Sequence, residues 1–555
     1  MGKNIIIMNQ NRFIGKWSYL CILCLAITLI SVSCGGGGGS SPGGGGSSPG
    51  GGGSSTTYSI SGAVALNGGF SQGVTITLSG TSSATTTTDV SGNYTFSRLA
   101  NGSYTVTPSK AGYTFNPIST AVTISGSNST GNNFTSTANL LLSISTNRRY
   151  LVDQNNGPFL IVGDSPQSLI VNLSTADANM YFANRQANGF NTVWINVLCA
   201  TYTAGRADGS TYDGIIPFTT PNDLSKPNEA YFSRVDDMIR LAANHGLVVF
   251  LDPAETGSWL GVLQTNGLTK ARNYGRYLGN RYKSFNNIVW MSGNDFQTWS
   301  NPTDDALVQA VALGIKDNDT RHIHTVELNY FASGSLDDPS WAPIIGLDAA
   351  YTYYATYAKV LEEYNRSNYL PVFMVEANYE EGYLVAPEIL RRQEYWTMLS
   401  GAAGQLYGNH YTWTFSSGWQ SNLDTPGVAQ LGYMKAFFAS RPWYNLVPDQ
   451  SHTTVTAGYG TFSATDEVNT NDYLTAARTP DGSLVIAYMP TIRAITVDMS
   501  KLSGSVIARW YDPSNGIYAT ITGSPFTNAG TRRFVPPGNN NDGSGDWVLV
   551  LETSI

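Results

Sequence analysis

Residues 288–295, IVWMSGND, pass from an apolar run to an amide and a carboxylate within a single short segment. Ile288 to Met291 are typical of a buried strand, and small residues lead from there to Asn294 and Asp295. Other apolar runs of the chain also end in polar or ionisable residues. Whether these ends meet in space decides both the fold and the candidate site.

Eight such runs occur between residues 143 and 445. They are FLIVGD (159–164), TVWINVLC (192–199), LVVFLDPAE (247–255), IVWMSGND (288–295), IHTVEL (323–328), AAYTYY (349–354), PVFMVEANYE (371–380) and GQLYGNHYTW (404–413). Helix-like segments lie between them, at 175–189, 229–246, 270–283, 305–317, 357–366 and 388–402. Strands that alternate with helices over about 300 residues predict a (β/α)8 TIM barrel at 143–445. A doubly wound open sheet is the structural alternative.

Two β-rich regions flank the predicted barrel. Residues 56–138 contain short alternating runs separated by turn signals, which predict a β-sandwich that resembles carboxypeptidase-regulatory-like and Cna-B-like domains. Residues 446–555 predict a second β-sandwich, with hairpin turns at Pro480-Asp481-Gly482 and Asn515-Gly516. Residues 56–138 carry no evident catalytic cluster, so we expect a spacer or a carbohydrate-binding role for this first sandwich.

The amino terminus predicts export. A basic start and the apolar run YLCILCLAITLISVSC resemble a bacterial lipoprotein signal over residues 1–34, in which Cys34 becomes the acylated first residue; an ordinary signal peptide is the alternative. Residues 35–55 repeat Gly, Ser and Pro, as expected of a flexible linker. We therefore expect a lipid-anchored protein of the bacterial cell envelope. Cys199 is then the one cysteine that stays unmodified, and no intramolecular disulfide is expected.

Composition narrows the choice of partner. The net charge is -8, which argues against nucleic acid, since binding to phosphates needs a basic surface. Aromatic residues make up 12% of the chain and suit a ligand that stacks on flat faces, such as a sugar. Trp259, Trp299, Trp413 and Trp419 are the candidates for such faces.

In a barrel the carboxyl ends of all strands gather at one mouth, so the polar ends of the runs form the candidate site. Apart from the pair discussed next, the candidate substrate-binding residues are Asp164, Asn196, Asp252, Asn294, Trp299, Glu327, Tyr353, Asn378, His410 and Trp413. Each has a structural alternative: Asp164 or Asp252 could cap the following helix, and Glu327 could pair with an arginine. So many polar ends at one mouth are not explained by capping alone.

Asp295 ends the fourth strand and Glu376 the seventh, nearly opposite each other across a barrel. Cleavage of a glycosidic bond needs two carboxyl groups that flank the bond, one as the acid and one as the nucleophile or base. A separation of about 5–5.5 Å between them predicts retention of configuration, and about 6.5–9.5 Å predicts inversion. Asp295 and Glu376 are therefore the candidate catalytic pair.

The order of several stretches resembles the apiosidase-like family of glycoside hydrolases, in which a (β/α)8 barrel precedes a small collagen-binding-type sandwich. These stretches include ANGFNTVWINVL, YGRYLGNRYKSFNNIVWMSGND, PVFMVEANYE and the closing DWVLVLE. The resemblance implies that Asp295 is the acid/base, that Glu376 is the nucleophile of a retaining reaction, and that Asp164 and His410 match the strand-1 and strand-8 motifs. It implies a complex polysaccharide as the substrate, with pectic, apiose-containing chains among the candidates.

The alternative is a non-catalytic surface protein with a decayed barrel that binds glycan or collagen. Neither reading needs a cofactor. His322 and His324 lie on one face of a strand, and Lys316-Asp317-Asn318-Asp319 is similar to part of a calcium loop, but neither motif is complete, so no metal is predicted.

Overall fold

Eight parallel strands, here β1–β8, form the centre of the computed structural model, which describes residues 56–66, 73–110, 113–138, 140–329, 331–382 and 386–553. Their bounds are Ile161–Asp164, Thr192–Asn196, Val248–Asp252, Ile288–Phe296, His324–Leu328, Asp348–Thr352, Val372–Glu376 and Gly404–Tyr407. They pair in the order β5-β4-β3-β2-β1-β8-β7-β6, and a two-residue strand, Ala332–Ser333, pairs antiparallel with β6. The predicted (β/α)8 barrel is confirmed. The signal, Cys34 and the linker lie outside the described residues.

The ladder opens between β5 and β6, and Ser335 bridges the opening. Its hydroxyl donates to the Val326 carbonyl at 2.5 Å and accepts the Ala349 N–H at 2.8 Å. The Gly346 N–H also donates to the His324 carbonyl at 2.9 Å. One side chain thus satisfies backbone groups of both strands and nearly closes the barrel.

The helices of the barrel, α1–α8, are Leu169–Asn172, Thr175–Ala187, Glu229–Asn244, Thr256–Tyr282, Pro302–Asn318, Thr356–Tyr364, Pro387–Leu399 and Pro426–Ala439. Short 3-10 turns occupy Thr201–Thr203, Ser335–Asp337, Pro339–Trp341, Trp419–Asn422, Trp443–Asn445 and Met499–Lys501. Side-chain caps start several helices: Asn228 and Asn301 each accept a backbone N–H from the first turn that follows. None of the described helices combines the length and the apolar character of a membrane span.

The interior of the barrel is apolar. Its side chains come from alternate positions of the strands, and they include Ile161, Trp194, Val248, Phe250, Val289, Met291, Phe373, Val375 and Leu406. Leu142 and Leu151 join this cluster from a small sheet of Ser143–Ile144, Leu151–Val152 and Pro158–Phe159. The interior of the barrel is therefore filled at its amino end, and its carboxyl end is the place where strand ends can form a site.

The amino-terminal region is a sandwich of two four-stranded sheets. One contains Tyr58–Leu66, Asn93–Leu99, Tyr113–Asn116 and Phe134–Ala138, and the other Thr75–Gly80, Ala84–Thr87, Gly102–Ser109 and Thr120–Ile124. Its core is drawn from residues 60–134 alone. The Tyr113 hydroxyl donates to the Asn244 carbonyl of the barrel at 3.0 Å.

The carboxy-terminal region is a sandwich of a six-stranded and a three-stranded sheet. The larger contains Val447–Pro448, Thr475–Arg478, Leu484–Met489, Val506–Asp512, Ile517–Thr520 and Trp547–Thr553, and the smaller Val455–Ala457, Ile495–Asp498 and Thr531–Phe534. One face of the larger sheet packs on barrel helices through Ile486, Tyr488 and Val550. The other face packs on the smaller sheet through Val485, Ala487 and Leu551. Because both faces are covered, the whole strand 484–489 is buried.

Candidate active site

A cavity of about 170 Å³ opens at the carboxyl end of the barrel. Its lining residues are Gln167, Tyr202, Asn294, Asp295, Tyr353, Glu376, Tyr379, His410 and Trp413. Both members of the predicted carboxylate pair therefore face one space. Aromatic rings and polar groups surround that pair, as expected of a site for a sugar.

The end of β4 leaves the sheet through a left-handed turn. Gly293, Asn294 and Asp295 have φ values of 113°, 64° and 52°, and the pairing with β5 shifts register between Ser292 and Phe296. A Cβ atom on Gly293 would lie 2.0 Å from the Glu327 carbonyl oxygen, so only glycine fits. The local sequence thus takes Asp295 out of the strand ladder, and strained backbone of this kind is typical of functional sites.

Asp295 is held from two sides. The Tyr202 hydroxyl donates a short hydrogen bond to its Oδ2, and the Asp295 N–H donates to Oε2 of Glu327 at 3.1 Å. Oδ1 has no hydrogen-bond partner among the described residues. Burial raises the pKa of Asp295 above its usual range, although the Tyr202 and Tyr351 hydroxyls oppose the shift. A carboxyl group that keeps its proton unusually well thus lies at the cavity, with one buried oxygen that has no partner among the described residues.

Glu376 accepts three phenolic hydrogen bonds. Tyr351 and Tyr353 donate to its Oε1 at 2.9 and 2.7 Å, and Tyr379 donates to its Oε2 at 3.0 Å. Burial, followed by the charge of Asp295, raises the pKa of Glu376 to about 8, and the tyrosine hydroxyls act in the opposite direction. The carboxylate is therefore fixed in orientation and electrostatically linked to Asp295.

Tyr351 lies near both carboxyl groups. Its hydroxyl donates to Oε1 of Glu376 at 2.9 Å and lowers the pKa of Asp295. The charge of Asp295 in turn raises the pKa of Glu376, so the two carboxyl groups interact electrostatically.

A chain of amides connects the remaining strand ends. Asn196 donates to Asn294 at 3.0 Å, Asn294 to Gln167 at 3.3 Å and Gln167 to the Tyr379 hydroxyl at 3.4 Å. Tyr379 then donates to Glu376. The chain fixes which atoms of Asn294 and Gln167 face the cavity and holds the nucleophile candidate from behind.

Six predicted residues lie at the cavity and six do not. Asn294, Asp295, Tyr353, Glu376, His410 and Trp413 line it. Asn196 is completely buried. Its amide nitrogen donates to Asn294, and its Oδ1 accepts the Trp194 indole N–H at 2.8 Å. Glu327 is also completely buried behind Asp295. Asn196 and Glu327 thus support residues that line the cavity, and their role in binding substrate stays a prediction.

Asp164 and Asp252 are buried acids of the barrel wall. Asp164 forms an ion pair with Arg185 at 2.5 Å and accepts a short hydrogen bond from Tyr181. Asp252 accepts the Ala254 N–H at 3.0 Å, and burial raises its pKa well above the usual range. Neither lines the cavity that contains Asp295 and Glu376, and their contact with substrate stays a prediction.

Asn378 and Trp299 form hydrogen bonds within the loops around the mouth of the barrel. The Asn378 amide donates to the Tyr353 carbonyl at 3.2 Å, and the Trp299 indole donates to Asn329 at 2.9 Å. Trp259 and Trp419 are packed in the barrel core. Of the four predicted tryptophan faces, Trp413 is the one that lines the cavity.

Four residues of the site were not predicted: Gln167, Tyr202, Tyr351 and Tyr379. Gln167 and Tyr379 follow closely on the ends of β1 and β7, so their positions could have been included. Tyr202 lies in the connection after β2, where its ring fills the space above Gly257, 2.2 Å from where a Cβ atom would be. Nothing in the local sequence pattern indicates that position.

The two candidate metal motifs are engaged in other bonds. The His322 ring nitrogens contact Asp319 at 2.6 Å and the Phe285 carbonyl at 2.7 Å. Asp317 forms ion pairs with Arg272 and Arg276, both at 2.7 Å. These groups stabilise the end of α5.

One other carboxylate cluster occurs in the described part of the chain, formed by Asp337, Glu362 and Glu363. The Lys359 ammonium lies 3.1, 3.2 and 2.7 Å from the respective oxygens. Arg366 pairs with the same three carboxylates, so two cations of the protein itself offset most of the charge of this cluster.

Comparisons with known proteins agree with this architecture. Residues 145–445 match the family described as "Apiosidase-like, catalytic domain". Residues 461–552 match the "Putative collagen-binding domain of a collagenase", and residues 56–137 match the "BOS complex subunit NOMO1-like, second beta sandwich domain". No curated protein gives a significant match to the chain.

Solved structures are similar in fold. A protein titled "Glycoside hydrolase" is 24% identical, with a TM-score of 0.65, over 75% of this chain and 97% of its own. A glycoside hydrolase family 5 protein from Bacteroides vulgatus ATCC 8482 is 22% identical, with a TM-score of 0.64, over 74% of this chain and 93% of its own. At these identities the likeness concerns the fold alone.

Proposed function

This chain belongs to the apiosidase-like family of glycoside hydrolases, and from that membership we propose that it cleaves glycosidic bonds of a complex polysaccharide with retention of configuration. The observation that carries the mechanism is that Asp295 and Glu376 line one cavity and interact electrostatically, the charge of Asp295 raising the pKa of Glu376. It supports a separation at which one carboxylate can attack the anomeric carbon directly.

In the first step Asp295 donates its proton to the glycosidic oxygen, and the bond between that oxygen and the anomeric carbon breaks. Glu376 attacks the same carbon and forms a glycosyl ester. In the second step Asp295 removes a proton from water, which displaces Glu376 and releases the sugar. The three tyrosine hydroxyls hold the Glu376 carboxyl group in the attacking orientation and favour its ionised form, against the effect of burial.

The sugar is bound, in this proposal, by Asn294, Gln167 and His410 through its hydroxyls and by Trp413 through its apolar face. The family match supports apiose-containing pectic chains as the first substrates to examine. A screen of sugars released from pectic and other complex glycans tests this part.

The test of the mechanism is the pair Asp295→Asn and Glu376→Gln. Each is expected to reduce kcat at least about a hundredfold while thermal unfolding is unchanged. The exposed neighbour Glu381→Gln is the matched control and should keep full activity.

Azide distinguishes the two roles. With Glu376→Gly, azide takes the place of the nucleophile and should give a glycosyl azide of inverted configuration; with Asp295→Gly, the azide product should keep the configuration of the substrate. Full activity of either carboxamide variant would refute the assignment. If no glycan is hydrolysed by the unaltered chain, the non-catalytic glycan binder becomes the better proposal.

We further propose that the protein is anchored to the cell envelope by a lipid on Cys34. The support is the sequence alone, an apolar run that ends at this cysteine and a Gly/Ser/Pro segment after it. Expression of Cys34→Ser should move the protein from the detergent-rich to the aqueous phase in a partition assay. A lipidated fraction that persists in this variant would contradict the proposal.

A further inference from the structure

A second cavity, of about 150 Å³, lies at the amino end of the barrel, opposite the catalytic mouth. The elements around it enter or leave the barrel at that end: Tyr364 ends α6, Ala402 precedes β8, and Tyr150 precedes the small sheet strand 151–152. Val447 and Pro480 of the carboxy-terminal sandwich complete the lining. The cavity thus lies at the junction of two domains, where binding sites are common.

Aromatic rings form one wall of this junction cavity. Tyr150 lies 5.9 Å from Trp443 and 5.4 Å from Tyr444, measured between ring centroids, and the rings are inclined at 69° and 51°. Tyr150 and Tyr444 are only half-buried. A ring face that borders a cavity suits the C–H groups of a sugar ring.

Arg149 supplies a positive charge beside these rings. Its guanidinium lies between Tyr364 and Tyr369, 3.8 and 3.7 Å from the two ring centroids, and its Nη1 donates to the Tyr364 carbonyl at 2.7 Å. Over the described residues, Arg149 forms no ion pair with a carboxylate, and its Nε and Nη2 form no hydrogen bond. The stacking fixes the plane of the guanidinium and leaves the edge that can bind a carboxylate with two parallel bonds.

Further polar groups line the same space. The side chains of Asn147 and Asn445 are exposed at the cavity. The side-chain oxygen of Asn147 accepts the backbone N–H of Arg149 at 3.1 Å, so the side-chain nitrogen of Asn147 is directed to other partners. The hydroxyls of Tyr150 and Tyr444 can donate or accept. Hydroxyls of a sugar need donors and acceptors of this kind around an apolar face.

We propose that the junction cavity is an accessory site for a uronic acid residue of a polysaccharide. The carboxylate of the sugar binds the Nε and Nη2 edge of Arg149, its ring lies against Tyr150 and Tyr444, and Asn445 binds a hydroxyl. The chain as a whole has a net charge of -8, but the guanidinium of Arg149 attracts an anion locally. The site therefore selects acidic over neutral glycan. It holds the polymer at a place distant from the carboxylate pair and does not depend on the catalytic proposal.

The test is a calorimetric titration of the full chain carrying Glu376→Gln, so that no turnover occurs. The probes are an oligosaccharide of galacturonic acid, the same oligosaccharide as its methyl ester, and the free monosaccharide. The acid is expected to bind at least tenfold more tightly than the ester, because the ester cannot pair with Arg149. Binding of the monosaccharide would show that one uronate residue suffices, and binding of the oligosaccharide alone that its neighbours contribute.

Variants assign the binding to this cavity. Arg149→Gln and Tyr444→Ala should each weaken binding of the acid at least tenfold, whereas Trp413→Ala, in the catalytic cavity, should not. Arg532→Gln is the matched control, since its guanidinium also lies on a ring, 3.7 Å from the Phe526 centroid, but borders neither cavity. Thermal unfolding of each variant shows that it is folded.

Unchanged binding in both Arg149→Gln and Tyr444→Ala would overturn the site, and equal affinity for acid and ester would overturn its selectivity for uronate. Hydrolysis is measured separately in the chain without Glu376→Gln. If the accessory site fails its test, hydrolysis by the unaltered chain is still measured independently. If the catalytic proposal fails, the titration still decides whether the junction cavity binds uronate.

Discussion

Tyr351, Tyr353 and Tyr379 surround one buried carboxylate and thereby influence how the catalytic pair ionises. Burial and the charge of Asp295 raise the pKa of Glu376 to about 8, while the three hydroxyls favour its charged form. Burial also raises the pKa of Asp295. Because two charged carboxylates repel each other, the pair retains one proton over an intermediate pH range, and the proposed reaction proceeds from the form in which Asp295 carries that proton and Glu376 is ionised.

Tyr353→Phe removes one hydrogen bond from the charged form of Glu376, so the pKa of this carboxyl group should rise further. A nucleophile must be ionised, so the acidic limb of the profile of kcat/KM against pH should move to higher pH. A hydrogen bond to a charged group contributes roughly 1.5 kcal/mol or more, which corresponds to about one pH unit. Tyr113→Phe, whose hydroxyl bonds a distant carbonyl, is the control. An acidic limb that stays in place or moves to lower pH would contradict the prediction.

At the scale of single residues, sequence identifies the acids better than their surroundings. Asp295 and Glu376 stand at strand ends, which chain order and periodicity reveal. Asp164 stands at a strand end as well, yet Arg185 of α2 neutralises it, and only the packing shows that. Tyr202 reaches Asp295 from a connecting segment, a contact between distant positions that no local pattern contains.

Strand β4 shows how one element carries both the barrel and the chemistry. Its first residues are an ordinary parallel strand, but positions 293–295 have left-handed backbone and leave the ladder. The sequence SGND signals that departure, because glycine and asparagine tolerate positive φ better than other residues do. The sequence predicts that a strand ends there, whereas it does not predict the direction in which the chain turns.

Gly293→Ala should disrupt this turn. The new Cβ atom would lie 2.0 Å from the Glu327 carbonyl at a φ of 113°, so strain and steric overlap combine. We expect a loss of at least about 2 kcal/mol in the free energy of unfolding, together with a large fall in kcat. Gly246→Ala separates the two causes, since its φ is 71° but no atom lies within 4 Å of the place that its Cβ would take. It should cost only about 1 kcal/mol and leave kcat unchanged. Equal effects of both substitutions, in chemical denaturation and in kinetics, would contradict the steric explanation.

Two helices show what periodicity cannot reveal. Helix α8 was not predicted, because apolar residues surround it: it packs on the barrel and on the carboxy-terminal sandwich through Val428, Phe437 and Phe438. For helix α4 the sequence predicts only the part from residue 270 onward. In the structure Gly267, with φ 73° and ψ 171°, interrupts the helix just before that part. An amphipathic pattern marks a helix with one buried face, and neither segment is of that kind.

At the scale of the whole molecule, the barrel and the carboxy-terminal sandwich share a core. Tyr395, Trp396 and Phe437 of the barrel helices belong to the same apolar cluster as Tyr488 and Val550 of the sandwich. Arg391, which is completely buried in α7, also forms ion pairs with Asp542 at 2.6 Å and Asp546 at 2.8 Å. A buried cation deprived of its partners is strongly unfavourable, so these two domains should fold as one unit.

The amino-terminal sandwich is different, because its core contains residues of its own sheets alone. A chain of residues 140–555 should therefore fold, keep its catalytic activity and unfold within a few degrees of the longer chain. A chain of residues 56–445 should be insoluble or show no cooperative unfolding of the barrel, since it exposes the apolar residues of the shared cluster and removes both carboxylates that pair with Arg391. Circular dichroism during heating and the yield of soluble protein measure both outcomes. A cooperative, active barrel in the 56–445 chain would show that the shared cluster contributes little to its stability.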